Sequence, residues 1–245
     1  MILASAQTKP HRFDTEKNLA DHYRFIDIAA QNNAEFIAFP ELSVTGYERD
    51  QARELAFEGN DKRLDGLKTL SAKYNMIIVA GAPVLVEKEM YIGSFILFPD
   101  GRVELYTKQF LHPGEEKFYS PSFCYNPLVE IEGERISLAI CADIDHPQHA
   151  ESASKVNTSI YIPSIFFSPG GIPGAYKDLS GYAQKYSMSI LMSNFCVEAW
   201  GRPAGGQSAF WNTKGELTGS LNDSDPGLLI VKKNGDSIQT QSVYL

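Results

Sequence analysis

Short apolar runs recur along this chain, and the way they are joined limits the folds open to it. Some are separated by long amphipathic stretches and others by tight turns. Residues 2–7 and 36–39 read as strands on either side of a helical stretch over 14–31, where Leu19, Tyr23, Ile26 and Ala30 recur at helical spacing. A second helical stretch over 61–74 places Leu64, Leu67, Leu70 and Tyr74 on one face and leads into an apolar strand over 76–86. In contrast, Asp100-Gly101 sits between strands at 92–98 and 103–106, a hairpin signal, and Gly133 turns 128–131 into 136–140. Helices over 147–155, opening on Pro147, and over 175–186 alternate with strands at 159–163 and 189–193. Hairpins return at 209–212, before Thr213-Lys214-Gly215, and at 228–232, before Asn234-Gly235. A purely parallel sheet has no place for the hairpins, and an all-β sandwich has none for the helices. Two mixed sheets covered by helices accommodate both. No repeat, low-complexity tract or linker interrupts residues 1–245, so one domain is expected.

Composition narrows the partners. The net charge is −8 and no Lys/Arg cluster breaks the acidic balance, so neither nucleic acid nor an anionic membrane is an expected partner. No apolar stretch approaches the roughly 20 residues that span a bilayer. The longest candidate, 160–169, is broken by Pro163 and Ser164. The chain enters its first strand without a basic, then apolar, leader, which makes a cytoplasmic location the expectation. Cys124, Cys141 and Cys196 are odd in number and far apart, as expected of reduced thiols rather than a disulfide framework. Cys124 and Cys196 read as small buried hydrophobes.

Cys141 is different in its setting. It closes the apolar run 136–140 and is followed at once by Ala142-Asp143-Ile144-Asp145-His146, as when a buried strand delivers a thiol to the rim of a sheet. Two other runs end in the same way: 36–40 leads into Glu41, and 103–106 leads into Thr107-Lys108. A thiol to attack, a carboxylate to move protons and an ammonium to stabilise an oxyanion together suggest nucleophilic hydrolysis of a carbonyl or nitrile carbon. Each residue alone is commonplace, since a lone Glu or Lys in a loop is ordinarily solvated. Cys141, Asp143, His146 and His149 also form a dense set of metal-ligand types, so a metal-dependent hydrolase is a rival reading. No Cys-x-x-Cys or His-Glu-x-x-His spacing supports it, and His146 and His149 read as polar loop or cap residues. A silent binding module on the same fold is the other rival. Loss of any one of the three groups would favour it, and all three are present.

The context of these residues resembles a known family. Phe39-Pro40-Glu41-Leu42-Ser43-Val44-Thr45-Gly46-Tyr47 is similar to the glutamate motif of the carbon–nitrogen hydrolase (nitrilase) superfamily. Thr107-Lys108-Gln109-Phe110-Leu111-His112-Pro113-Gly114-Glu115-Glu116 resembles its lysine motif, and the segment through Cys141-Ala142-Asp143 its cysteine motif. The three stand in the family's order. Asn194 and the run from Gly205 to Phe210 match its C-terminal half. The resemblance implies a four-layer α-β-β-α sandwich and a cofactor-free, metal-free enzyme that assembles as a homodimer or higher homo-oligomer. It implies Glu41 as general base, Cys141 as nucleophile and Lys108 as oxyanion partner, assisted by the backbone N–H of Ala142. A second glutamate is implied at Glu115, with the adjacent Glu116 as the alternative.

Tyr47 lies near Glu41 and is expected to touch substrate. Residues 165–173, rich in Gly and Pro, read either as a turn or as a cap over the pocket. The sequence departs from the family's pattern where Phe110 stands in the usual place of His, and where Ala142-Asp143 follows Cys141 instead of Tyr-Asp or Trp-Glu. It departs again where Asp145-His146-Pro147-Gln148-His149 replaces an Arg-Phe-Pro-Glu segment; the last of these departures concern the neighbourhood of the substrate. Lacking a Cys-Trp-Glu signature, the chain resembles an amidase or carbamoyl hydrolase more than a nitrilase. The substrate stays open among small aliphatic amides, dicarboxylate monoamides and N-carbamoyl amines. No arginine stands out beside the three groups, and Arg202 is the nearest candidate for a substrate carboxylate.

Overall fold

The apolar runs pair into two large sheets in the computed structural model, which describes residues 1–123 and 126–245, so Cys124 lies outside the described residues. The chain runs β1 (Ile2–Gln7), α1 (Thr15–Gln31), β2 (Phe36–Ala38), α2 (Ala52–Leu55), α3 (Asp65–Tyr74), β3 (Ile77–Val86), β4 (Glu89–Leu97) and β5 (Val103–Thr107). It continues through β6 (Val129–Ile131), β7 (Glu134–Ile140), α4 (Pro147–Lys155), β8 (Ile160–Ile165), α5 (Ile172–Tyr186) and β9 (Ser189–Asn194). The last strands are β10 (Cys196–Ala199), β11 (Arg202–Gly205), β12 (Ala209–Trp211), β13 (Leu217–Ser220), β14 (Gly227–Asn234) and β15 (Ser237–Tyr244).

Among the described residues, one sheet has the order β15-β14-β1-β2-β3-β4-β5 and the other β13-β12-β9-β8-β7-β6. The two kinds of connection sort the pairings. Where a helix intervenes, as in β1-β2-β3 and β7-β8-β9, neighbours are parallel. Where a turn intervenes, as in β3-β4-β5, β6-β7 and β14-β15, they are antiparallel. This follows from geometry: a two-residue turn can only reverse a strand, and a parallel neighbour needs a crossover.

Three apolar layers hold the sandwich together. Leu3, Phe36 and Val79 of the first sheet meet Leu138, Ile162 and Leu191 of the second. On the outer face of the first sheet, Ile26 of α1 and Leu67 of α3 cover Ala4, Ile37 and Ile78. On the outer face of the second, Ala153 of α4 and Leu179 of α5 cover Ala139, Tyr161 and Ile190. The α-β-β-α architecture is thus the one expected from sequence. With both faces covered, the parallel strands read as continuous apolar runs without alternation.

Several boundaries differ, among them that of α3, which begins at Asp65 rather than 61 after a short 3-10 turn over Lys62–Leu64. α5 begins at Ile172 rather than 175, because Pro173 is tolerated in a first helical turn. β4 begins at Glu89, directly after a tight turn through Glu87 at φ 56°. The hairpin β10–β11 is not expected from sequence, since Val197, Glu198 and Arg202 face solvent and leave no apolar signal.

One glycine sets the position of the loop after β2. Gly81 lies in β3 directly beneath Glu41 and its neighbours, and a Cβ there would come 2.5 Å from Leu42 N and 3.1 Å from Pro40 O. Only a bare backbone allows that approach. Val44 N then bonds Gly81 O at 2.9 Å and fastens the loop to the sheet. Gly81→Ala is expected to lower stability by ~1–3 kcal/mol through overpacking and to displace Glu41. Urea denaturation should show the loss, together with reduced turnover in the folded variant.

Candidate active site

Three strand ends from two sheets meet at one point. Glu41 follows β2 and Lys108 follows β5, both from the first sheet, while Cys141 follows β7 of the second. The Glu41 loop is held from beneath by His22 of α1. Burial pushes the His22 imidazole down to about 4, so it is neutral near pH 7. Its Nδ1–H donates to Asn18 O at 2.7 Å, and Nε2 accepts from the Ser43 hydroxyl at 2.9 Å. Ser43 Oγ accepts in turn from Gly81 N at 3.3 Å. The His22 ring stacks on Phe39, with centroids 4.0 Å apart. His22 carries no motif and is invisible as a support in the sequence.

Lys108 Nζ donates to Glu41 Oε1 at 2.7 Å and to Glu115 Oε1 and Oε2 at 2.9 and 2.8 Å. All three side chains have no exposure to solvent. Glu115 also accepts from His112 N at 2.7 Å and from the Tyr47 hydroxyl. Glu116, the alternative, is exposed and turns back to accept from Gly114 N. Of the two adjacent glutamates, only Glu115 is bonded to Lys108.

Burial and charge compete here: Lys108 favours the ionised forms of both Glu41 and Cys141, and burial outweighs it. Loss of water pushes Glu41 up to about 7; Lys108 pulls it down and Glu115 raises it. Burial, then Glu41, push the Cys141 thiol well above its ordinary value, and Lys108 only partly offsets them. Lys108 itself is held above its usual value: burial lowers it, but Glu41, Cys141 and Glu115 outweigh that. The physical reason is first the loss of water and then a shortage of positive charge. One ammonium faces two carboxylates and a thiol in a dry site, so the resting site retains protons. Glu41 Oε2 is buried without a hydrogen-bond partner, the position of an acceptor waiting for a proton.

Cys141 adopts φ 44°, in the left-handed region, which costs a residue with a side chain about 1 kcal/mol. That sharp bend ends β7 and begins the helical turn Cys141–Asp145 with Ala142. Sγ, 3.8 Å from Phe166 O, reaches the pocket floor while the strand stays buried. Asp143 clasps the bend to the lysine loop. Its Oδ1 accepts from Gln109 N at 3.0 Å and Phe110 N at 2.9 Å, and its Oδ2 from Ile140 N at 2.9 Å and the Tyr106 hydroxyl at 2.5 Å. Tyr106 accepts from His149 Nε2–H at 2.8 Å, and His149 Nδ1 accepts from the Tyr161 hydroxyl at 2.7 Å. Burial keeps His149 below its ordinary value, which suits this neutral tautomer.

Asp143 and His149 are thus committed to a hydrogen-bonded clasp rather than gathered around Cys141 as ligands. Among the described residues, no group of three or more His, Cys, Asp or Glu is arranged to hold a metal ion. His146 stacks on Phe110, with centroids 4.0 Å apart and planes at 15°. That stack occupies the place where two family positions differ, and it packs the lysine loop against the cysteine turn.

A cavity of about 460 Å³ opens onto Cys141. Glu41 and Lys108 lie behind the cysteine and do not line it. Tyr47, Phe166, Phe167 and Trp200 form an aromatic wall, and Ser168 and Gly171 complete the side made by residues 165–173. That segment is therefore both the turn into α5 and a wall of the pocket. Arg202 is at the rim, and Arg49, outside the residues expected from sequence, joins it. The only sequence signal for Arg49 is its place just after Tyr47 in the glutamate-motif loop. Asp145, from the segment expected around the substrate, lines the cavity, and so does His112, which was not expected there. Cys196 is fully buried, as expected of a small hydrophobe.

A helical sandwich of two mixed sheets with a buried Glu-Lys-Cys cluster at the strand ends defines a class of hydrolase. The carbon-nitrogen hydrolase family model matches residues 2–241, and the chain belongs to that family. The NitN amidase from Nesterenkonia sp. AN1 superposes with a TM-score of 0.85 at 22% identity, covering 96% of this chain and 93% of that one. Variants of that amidase have been seen in complex with butyramide and with an acetamide group added covalently at the active site cysteine. A glutamine-dependent NAD(+) synthetase from Aquifex aeolicus is 24% identical over 79% of this chain, and a nitrilase from Pyrococcus abyssi is 25% identical over 61%. Those matches span 34% of the synthetase and 59% of the nitrilase. No helix of the described residues is long and apolar enough to cross a membrane.

The Asp143 clasp makes a prediction. Asp143→Asn preserves volume but turns an NH₂ toward buried N–H donors. It should cost about 3 kcal/mol, read by chemical denaturation, and weaken turnover because the lysine loop loses its anchor to the cysteine turn.

Proposed function

We propose that this protein hydrolyses the C–N bond of a small amide or N-carbamoyl compound through a thioester on Cys141. The observation that carries this reading is the fully buried Lys108 bonded to both Glu41 and Glu115, directly behind a cysteine that opens into the pocket. Glu41 takes the thiol proton as Cys141 Sγ bonds to the carbonyl carbon. The oxyanion that forms is stabilised by Lys108 Nζ and the N–H of Ala142, which starts a helical turn and so has no earlier carbonyl in the turn to bond. The tetrahedral species collapses, the C–N bond breaks, and the nitrogen leaves with the proton from Glu41 as ammonia or an amine. Glu41 then removes a proton from water, the water oxygen attacks the thioester, and sulfur recovers the proton as the acid departs. Glu115 fixes Lys108 between the two carboxylates, and Tyr47 presents its ring to the substrate while its hydroxyl holds Glu115.

The site needs no cofactor for these steps. The butyramide complex and the covalent acetamide adduct of variants of the Nesterenkonia amidase, a protein of the same fold, support the substrate class. A cytoplasmic homodimer or higher homo-oligomer, in one domain and without nucleic-acid or membrane partners, completes the reading. Light scattering of the purified protein tests the assembly, and a monomer would reject that part alone.

The central experiment measures ammonia release from a panel of amides, carbamoyl compounds and nitriles. Cys141→Ala and Glu41→Gln are each expected to lower kcat by at least ~10³-fold, as loss of a nucleophile or its base does elsewhere, with circular dichroism unchanged. Normal turnover by either variant removes that residue from the mechanism. The pH profile gives a separate check. Glu41 must be ionised to accept a proton, and its carboxyl titrates at about 7. kcat/KM should therefore fall as pH drops below about 7, approaching tenfold per pH unit. An acid limb near the ordinary carboxylate range would show that burial does not raise the essential carboxylate.

A further inference from the structure

Five arginines of this protein, Arg12, Arg24, Arg63, Arg102 and Arg135, reach a carboxylate. Arg49 and Arg202, the two that line the cavity over Cys141, form no ion pair among the described residues. Arg49 Nε is buried and has no hydrogen-bond partner. A buried donor without an acceptor is rare and calls for a reason. The guanidinium is nevertheless held in place. Its central carbon stands 4.0 Å from the centroid of the Trp200 ring and 5.9 Å from that of Phe118. The turn at Gly114 lies beside the guanidinium, since a Cβ there would be in ordinary contact at 3.5 Å from Arg49 Nη1. Trp200 is oriented by its own bond, Nε1–H to Asp50 Oδ2 at 3.2 Å. Arg202, at the start of β11, lies 4.8 Å from the same indole ring.

We infer that Arg49, backed by Arg202, binds a carboxylate on the substrate at the end away from the amide that Cys141 attacks. This deepens the amide-hydrolase reading and rests on it. A guanidinium fixed by stacking offers parallel N–H groups at its edge, the geometry that a carboxylate accepts in pairs. The cavity is large enough for a substrate with two ends. At about 30 Å³ per water-sized group, its volume of about 460 Å³ holds more than a short aliphatic amide fills. The substrate class is then the monoamide of a short dicarboxylic acid. Water enters, the C–N bond breaks, and the products are the dicarboxylate and ammonia. Asp145 also lines the cavity, and the two arginines must outweigh its repulsion of the anion.

The test compares succinamate, glutaramate and adipamate with neutral amides of equal chain length. It uses the parent protein, Arg49→Gln, Arg49→Lys and Arg202→Gln. The parent should prefer the acid-bearing amide in kcat/KM by on the order of ten- to a hundredfold, the range for hydrogen bonds to charged groups. Arg49→Gln should bring that ratio close to one. Arg49→Lys should fall between, keeping the charge and losing the planar fork, and Arg202→Gln should reduce the ratio less than Arg49→Gln does. A parent that turns over both series equally overturns the inference and leaves the cysteine-hydrolase reading standing.

Calorimetric binding to the Cys141→Ala protein reads the same preference without turnover. Tighter binding of the acid-bearing amides, lost when Arg49→Gln is added, supports the carboxylate site even if the parent hydrolyses none of the panel, and in that case the proposed reaction is what fails. Equal binding of both series, or binding of neither, overturns the carboxylate site.

Discussion

Everything at this site depends on the ammonium of Lys108, buried between two carboxylates. A lysine has three donors, and here each meets a carboxylate oxygen, one from Glu41 and two from Glu115. Removing an ammonium from water is costly, and only close, fully bonded partners offset it. The cluster is consequently rigid: no member can turn away without leaving a buried charge uncompensated. Its composition also sets its chemistry. Burial, with Glu115 adding to it and Lys108 opposing it, pushes the Glu41 carboxyl up to about 7, above the ordinary carboxylate range. A carboxyl poised near neutrality can both take and return a proton, as a hydrolytic cycle requires.

That cluster can exist only because the surrounding fold delivers its members from separate directions. The Glu41 loop lies on Gly81 and is steadied by His22 and Ser43. The lysine loop is bound to the cysteine turn through Asp143, whose four accepted hydrogen bonds join segments from both sheets. Behind Asp143, Tyr106, His149 and Tyr161 pass the hydrogen bonding into the second sheet. Polar networks of this kind stabilise only when complete, and this one has a donor for each acceptor along its length. The dense run of Cys, Asp and His near residue 141, which in sequence looks like a set of metal ligands, is largely this clasp.

Much of the fold is legible in the chain itself. Hydrophobic periodicity separates α1 and α3 from the strands, and Asp100-Gly101 and Gly133 mark two of the hairpins. The helix Pro147–Lys155 is marked at its start by its proline. Where reading the sequence falls short, the missing signal has a physical explanation. β10 and β11 carry exposed polar and charged residues, so neither periodicity nor apolar content distinguishes them from loop. α5 starts at Ile172, and Pro173 and Gly174 directly after it hide that first turn from a reading of the sequence. Arg49 is a single charged residue in a loop, and nothing local tells a solvated arginine from one stacked on an indole that arrives from β10–β11, far along the chain.

The sequence by itself determined the two mixed sheets, their helical cover, and the three side chains standing at strand ends, because strand and helix periods, turn residues and a polar residue closing an apolar run are local properties. Only the tertiary structure decided which glutamate meets Lys108, how protons are shared among Glu41, Cys141 and Lys108, and which arginines face the pocket. These depend on distances between segments remote in the chain and on the exclusion of water when two sheets close on one another. Burial changes the energy of a charge by far more than any neighbour in sequence can. A linear reading can name the groups, but their ionisation and partners are set only when the sandwich is packed.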